Sequence, residues 1–363
     1  MINVLSILNR RIDLPLAGGL FVLCVLGLVI LFSASGESTG ILISQMTRIG
    51  IGLFVMLSVA QFPPSTILRI GPILYIAGIL LLVAVAIWGD GQGARRWIDL
   101  GYIRFQPSEI LKLAVPIVIA AIVSNRSLPP SAHGLLLCVL VIFVPVVLIY
   151  LQPDLGTAIL VTLSGLIIIF LGGISWRMIR YFLFLLCCFA PIAWYFIRDY
   201  QKQRILTLFS PERDPLGTGY HIIQSKIAIG SGGTYGKGWL NGTQSHLEFL
   251  PERATDFIFA VYCEEFGFVG VLVLFMAYAL VVIRSIVILY DAQDTFSRLL
   301  GGAIIFTFAS YVFVNIGMVV GLLPVVGVPL PLISYGGTSM VTILGSFGIL
   351  MSIQTHKKFY ANV

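Results

Sequence analysis

The side chains able to do chemistry are few, and most fall in one interval, 220–268, which reads YHIIQSKIAIGSGGTYGKGWLNGTQSHLEFLPERATDFIFAVYCEEFGF. It carries Glu252, Asp256, Glu264 and Glu265 beside Lys226, Lys237 and Arg253. Asp256 opens an apolar run. A carboxylate there suits a helix start, where the macrodipole welcomes negative charge, yet Thr255 is an equally good cap. Asp256 is therefore not needed for that role. In a continuous helix Glu264 lies about 80° around from Asp256 and Glu265 nearly opposite. One of the two can therefore share a cavity with Asp256, while the other meets a neighbouring helix or the loop. The run GSGGTYGKG is a poor nucleotide loop and a better tight turn, whose N–H groups and Lys237 can hold an anion.

Other charges stand in or beside apolar runs. Arg48 suits snorkelling, a buried pair or a binding role. Glu109 and Lys112, three residues apart, share a helix face and can pair, either as a structural ion pair or as the wall of a polar cavity. Pro107 suits the first turn of that helix and Ser108 a capping role. Asp154, in LQPDLGTA, fits an N-cap. The four histidines lack metal-ligand spacing. No Walker A run, no GxGxxG between strand and helix and no G-x-S-x-G elbow occurs.

The elements that must position these groups are membrane helices. Of 363 residues 58% are hydrophobic and 10% charged, and apolar runs of roughly 20 residues recur, each long enough to span about 30 Å of hydrocarbon. Continuous runs exclude a β-barrel. The expectation is an all-α polytopic membrane protein, one domain over 1–363, with about ten spans near 14–35, 42–62, 70–89, 107–125, 134–152, 156–173, 178–197, 257–284, 299–323 and 334–354. With that count Arg10, Arg11, Arg69, Arg126, Arg177, Arg284, Arg298, Lys357 and Lys358 share one side, so both termini are expected in the cytoplasm. The first run is too long for a cleavable signal. Two outer segments follow: 90–106, with Arg95, Arg96 and Arg104, and the long loop 198–255 between spans seven and eight, whose apolar content predicts short, partly membrane-dipping helices. The segment GLLPVVGVPLPLISYGGTS cannot be a plain helix and needs cover at membrane depth. The net charge of +6 fits the positive-inside rule and anionic lipid, with no basic run to bind nucleic acid. The five cysteines read as small core residues.

The run QSKIAIGSGGTYGKGWLNGTQSHLEFLPERATDFIFAVYCEEFGFVG, with RWIDLGYIRFQPSEILKLA, LQPDLGTA and GLLPVVGVPLPLISYGGTS in the same order, resembles the SEDS family (shape, elongation, division and sporulation) over essentially the whole chain. QRILTLFSPERDPLGTGYHIIQSKIAIGSGG is more similar to its elongation branch than to its division branch. Ala254 stands where that family commonly has His. The resemblance implies a peptidoglycan glycosyltransferase of the bacterial cytoplasmic membrane, active on the outer face, polymerising lipid II during elongation and rod-shape maintenance. It points to Asp256 as the essential residue, a general base whose usual pKa of ~3.9 partial burial next to Glu264 or Glu265 would raise, and to an inverting displacement without a covalent intermediate. The leaving pyrophosphate would need positive charge from Arg48, Arg96, Arg204, Lys226, Lys237 or Arg253, or from a divalent cation (Mg or Mn) held by carboxylates, with no organic cofactor. Glu109 and Lys112 would line the cavity with Asp154, Glu252 and Glu264 near it, and Trp97 and Trp239 would stack on sugars or anchor at the interface. The partners implied are lipid II, a class B penicillin-binding protein and membrane proteins of the elongation complex, with no nucleic acid. The alternatives are a lipid II flippase and a non-catalytic scaffold of the synthase.

Overall fold

The computed structural model describes residues 12–88, 96–99, 104–126, 128–196, 198–214, 217–246, 250 and 252–356. Arg10, Arg11, Arg95, Lys357 and Lys358 lie outside the described residues. A helix occupies each of the ten expected places: α1 (Leu14–Ala34), α2 (Thr39–Ala60), α3 (Pro64–Trp88), α4 (Ser108–Ser124), α5 (Ala132–Leu151), α6 (Leu155–Leu171), α7 (Trp176–Phe196), then α11 (Ile258–Tyr290), α12 (Thr295–Val319) and α13 (Thr338–Thr355). Between α7 and α11 lie α8 (Asp199–Phe209), α9 (Thr218–Gly232) and the single turn α10 (Thr243–His246). Among the described residues seven helices are long and apolar enough to cross a membrane. Helices α4 and α6 have 17 residues each, about 25 Å of rise, and so fall short of a full crossing at right angles. The only strands among the described residues are the paired β1 (Ile98–Asp99) and β2 (Arg104–Phe105).

Local chemistry sets the helix starts. Asp13, Ser38, Ser131, Asp154 and Asp294 each accept from the backbone N–H three residues on, so the cap expected of Asp154 is present. Two other cap readings are corrected. Thr255 turns its hydroxyl to the Glu252 carboxylate (2.6 Å) instead of the first turn of α11. Ser108 is the first residue of α4, and its Oγ is buried with no hydrogen-bond partner. Cys24, Cys138 and Cys263 are buried as expected of core residues, whereas Cys187 and Cys188 are exposed on α7.

In the bundle α2 packs on α13, α1 on α11, α3 on α4, and α6 on both α4 and α12. Helix α7 stands nearly clear, its described side chains mostly exposed, as suits a helix solvated by lipid. The Pro/Gly-rich segment after α12 enters the bundle as irregular backbone. Leu330, Leu332 and Ile333 are buried there, and Tyr278 Oη donates to the Pro331 carbonyl (2.6 Å). Two glycines make room for it: a Cβ on Gly27 would sit 2.5 Å from the Leu332 carbonyl oxygen, and one on Gly156 2.5 Å from that of Val326. Non-helical backbone at this depth survives because protein covers and hydrogen-bonds it.

Candidate active site

That segment, 320–337, is the floor on which the site is built. Asn315, fully buried on α12, donates through Nδ2 to the carbonyls of Val328 (2.7 Å) and Asp256 (2.9 Å). Ser334 Oγ donates to the Thr255 carbonyl (2.6 Å) and accepts from Leu330 N (2.8 Å). Tyr335 N donates to the Ala254 carbonyl (2.9 Å), so the position that departs from the family's His is used here through its backbone. Three bonds, two from the floor and one from α12, thus hold three consecutive residues, 254–256, in the turn before α11. The turn itself is tight, with Glu252 at φ 54°.

Asp256 is part-buried in this turn, beside Gly327, where an added Cβ would lie 3.4 Å from its Oδ2. Its carboxyl is pushed up to about 6, first by burial and then by the Glu252 carboxylate, with the Arg204 guanidinium pulling the other way. The neighbour that shifts Asp256 is therefore Glu252. The expectation that Glu264 or Glu265 tunes it is corrected: Glu264 is fully buried roughly 10 Å further along α11, with Oε1 accepting from Lys237 Nζ (2.6 Å), Thr243 Oγ1 (3.0 Å) and Gln244 N (3.1 Å). Glu265, also buried, accepts from Ser33 on α1. His221 on α9 stacks on Phe257, with ring centroids 5.5 Å apart. Burial lowers its pKa, against the opposing pull of Glu252 and Asp214, so the ring beside the turn is neutral at pH 7.

The basic residues divide by what they already hold. Arg96 is committed to the carbonyls of Gln152 (2.9 Å) and Pro153 and lies 4.0 Å from Asp154. Asp154 also accepts from Gln106 (3.0 Å), next to the Gly156 contact with the floor. Lys112 pairs with Glu109 at 2.6 Å, and Glu109 accepts from Thr342 on α13 (2.8 Å). Lys112 also sits 5.3 Å from the Tyr311 ring centroid and borders a mainly apolar cavity of about 40 Å³ between α4, α12 and α13. The ion pair expected of these two residues is present, and of the two only Lys112 borders the cavity, which is mainly apolar and not polar as expected. Lys226 is exposed beside Gly321, and Arg253 lies within the turn, close to Gly36. Arg204 donates to the Val325 carbonyl of the floor (3.0 Å). Arg48 stacks over the Tyr335 ring at 4.3 Å, and its Nη1 is buried with no hydrogen-bond partner. Trp97 packs near Gly337 at the edge of the floor. Trp239 donates from Nε1 to the Val29 carbonyl of α1 (3.1 Å) and packs on Phe32, contacts that hold the ring against the bundle.

Sequence reasoning misses Asn315, Ser334 and Tyr335. Asn315 does carry a signal, being an uncharged polar side chain inside an apolar span, where such groups are rare unless bonded. Among the described residues no three His, Cys, Asp or Glu side chains converge as a metal cage. Asp256 and Glu252 suit only an ion that takes its remaining ligands from substrate phosphates and water.

A polytopic helical membrane protein with a lifted carboxylate on a covered, irregular floor has the build expected of an enzyme that works on a membrane-held substrate. Residues 14–359 match the family described as cell cycle protein, FtsW/RodA/SpoVE, and the chain belongs to that family. It is 52% identical to peptidoglycan glycosyltransferase MrdB of Escherichia coli K12 over 93% of this chain and 92% of the relative. It is 32% identical to stage V sporulation protein E of Bacillus subtilis over 96% and 98%. Among solved structures, a chain of a peptidoglycan synthase complex that coordinates polymerization and crosslinking matches with TM-score 0.83 and 33% identity, covering 94% and 97%. Rod shape determining protein RodA of Thermus thermophilus matches with TM-score 0.71 and 28% identity, covering 94% and 96%.

Proposed function

We propose that this protein is a peptidoglycan glycosyltransferase that polymerises lipid II in the bacterial cytoplasmic membrane during cell elongation. The observation that carries the mechanism is the Asp256 carboxyl, held in a turn fixed by three main-chain contacts and lifted to about 6. A base of that strength is mostly ionised at pH 7 and still basic enough to accept a proton as an alcohol becomes a nucleophile. The acceptor 4-hydroxyl attacks the donor anomeric carbon and gives its proton to Asp256. The bond from that carbon to the undecaprenyl pyrophosphate oxygen breaks, and a β-1,4 link forms with inversion.

The departing pyrophosphate requires cations that are not already spent. Arg48, with an unpartnered buried guanidinium nitrogen, suits this task best, and Arg204 follows, because it gives one bond to the Val325 carbonyl and lies beside Asp256, whereas Arg96 is bound to two carbonyls and Lys112 and Lys237 to carboxylates. A divalent cation would add charge neutralisation on the pyrophosphate, with Asp256 or Glu252 as its protein ligand. On the ten-span arrangement with both termini inside that the sequence suggests, the turn would lie at the outer face, where a class B penicillin-binding protein and other membrane proteins of the elongation complex can receive the strand.

Purified protein in liposomes with lipid II is expected to yield glycan polymer. Movement of lipid II between leaflets without polymer would instead identify a flippase and overturn the reading.

A further inference from the structure

Helix α11 is two helices end to end. At Gly267 the backbone leaves helical space (φ 63°, ψ −163°), and main-chain groups on each side lose their helical partners. The glycine-rich segment replaces them. Lys237 N and Gly238 N donate to the Glu264 and Glu265 carbonyls, and Phe268 N and Val269 N donate to the Gly233 and Thr234 carbonyls, all at 3.0 Å. The close approach requires glycine: Gly236 has φ 78°, and a Cβ there would lie 2.1 Å from the Glu265 carbonyl oxygen. Side chains then close the joint. Lys237 Nζ reaches Glu264 Oε1 (2.6 Å) and Thr243 Oγ1 (2.7 Å). A fully buried carboxylate needs such a counter-charge, so the loop residue and the helix residue depend on each other.

We propose that Lys237 and Glu264 are positioning residues for the reaction at Asp256: their ion pair clamps the glycine-rich segment into the break of α11 and sets the angle of the short arm, 258–266, that presents Asp256. The arm is about 13 Å long. A tilt of about 10° at Gly267 would carry its Asp256 end by roughly 2 Å, and misplacement by about 1 Å can cost 100-fold in rate. The floor contacts to residues 254–256 resist part of that tilt, so the expected loss is nearer tenfold. The proposal rests on Asp256 being the base.

The test uses the full-length protein in liposomes with lipid II, comparing Lys237→Met, Glu264→Gln, the double variant and Lys237→Arg. Each of the variants Lys237→Met and Glu264→Gln is expected to lose about tenfold in kcat, with KM and the acid limb of the pH profile unchanged. The double variant leaves no buried charge unpaired, so its melting temperature recovers while kcat stays low; Lys237→Arg keeps kcat. In the substrate-free protein, the amides of Phe268 and Val269 are expected to exchange hydrogen faster in all variants but Lys237→Arg. Recovery of kcat along with melting temperature in the double variant, or a change in KM alone, or unaltered exchange, would overturn the clamp. Absence of polymer from the wild-type protein would defeat the glycosyltransferase reading instead, and the exchange result would still judge the clamp.

Discussion

Replacing Glu252 by glutamine tests where the basicity of Asp256 comes from. The carboxyl is raised from 3.8 to about 6, with burial the larger cause and Glu252 the like charge that adds to it. Only ionised Asp256 accepts the proton, so kcat/KM should fall on the acid side of that value. At pH 5 a group with pKa near 6 is roughly 10% ionised, whereas one near 3.8 is about 90% ionised. The wild-type rate at pH 5 is thus expected at about a tenth of its plateau. The amide oxygen of the variant can still accept from the Thr255 hydroxyl, so the turn is kept while the like charge is gone. The acid limb should then move down, though not as far as 3.8, because burial remains. Glu252 is exposed, so added salt should shift the wild-type limb the same way and shift the variant's less. The assay is glycan polymer from lipid II between pH 4.5 and 8, scored by initial rate. A wild-type limb near pH 4, or a limb that stays or rises in Glu252→Gln, would refute the reasoning.

Three further outcomes follow from the same contacts. A carboxyl whose folded pKa is raised costs stability once ionised: its contribution is fully present below about 4 and is lost as pH rises through about 6. Asp256→Asn should therefore raise the melting temperature at pH 7.5 by an amount worth up to about 3 kcal/mol and change it little at pH 4, as read by thermal scans in detergent. Asn315→Leu removes two donors to buried carbonyls and should cost about 2–4 kcal/mol, seen as a lower melting temperature together with lower kcat. Arg48→Gln should raise the lipid II KM several-fold with the pH profile unmoved, as expected of a group that meets phosphate and not the proton.

The helices are legible because membrane spans write themselves as long apolar runs, and the same pattern marks the Pro/Gly-rich segment 320–337 as irregular and in need of cover. Asp154 as a cap and the Glu109–Lys112 pair are legible from spacing alone, since their partners lie within three residues. The site is legible only in part. Asp256 stands out, but a continuous helix offers Glu264 or Glu265 as its tuner, whereas the structure gives that role to Glu252. Gly267 breaks that helix inside an apolar run that shows no turn signal, and the partner of Glu264, Lys237, lies 27 residues away. The contacts of Trp239 are hidden for a similar reason, because its partner Val29 sits on the first helix, 210 residues distant. Contacts of that separation leave no periodic trace in a sequence.

The central claim is that the Asp256 carboxylate takes the proton of the attacking hydroxyl. It is tested most directly by the single-turnover rate of glycan-bond formation from lipid II in liposomes, comparing wild type with Asp256→Asn of equal fold and lipid II affinity. A loss of roughly 100-fold or more is expected, in line with the usual worth of a general base, with lipid II still bound. Bond formation by Asp256→Asn at the wild-type rate would contradict it.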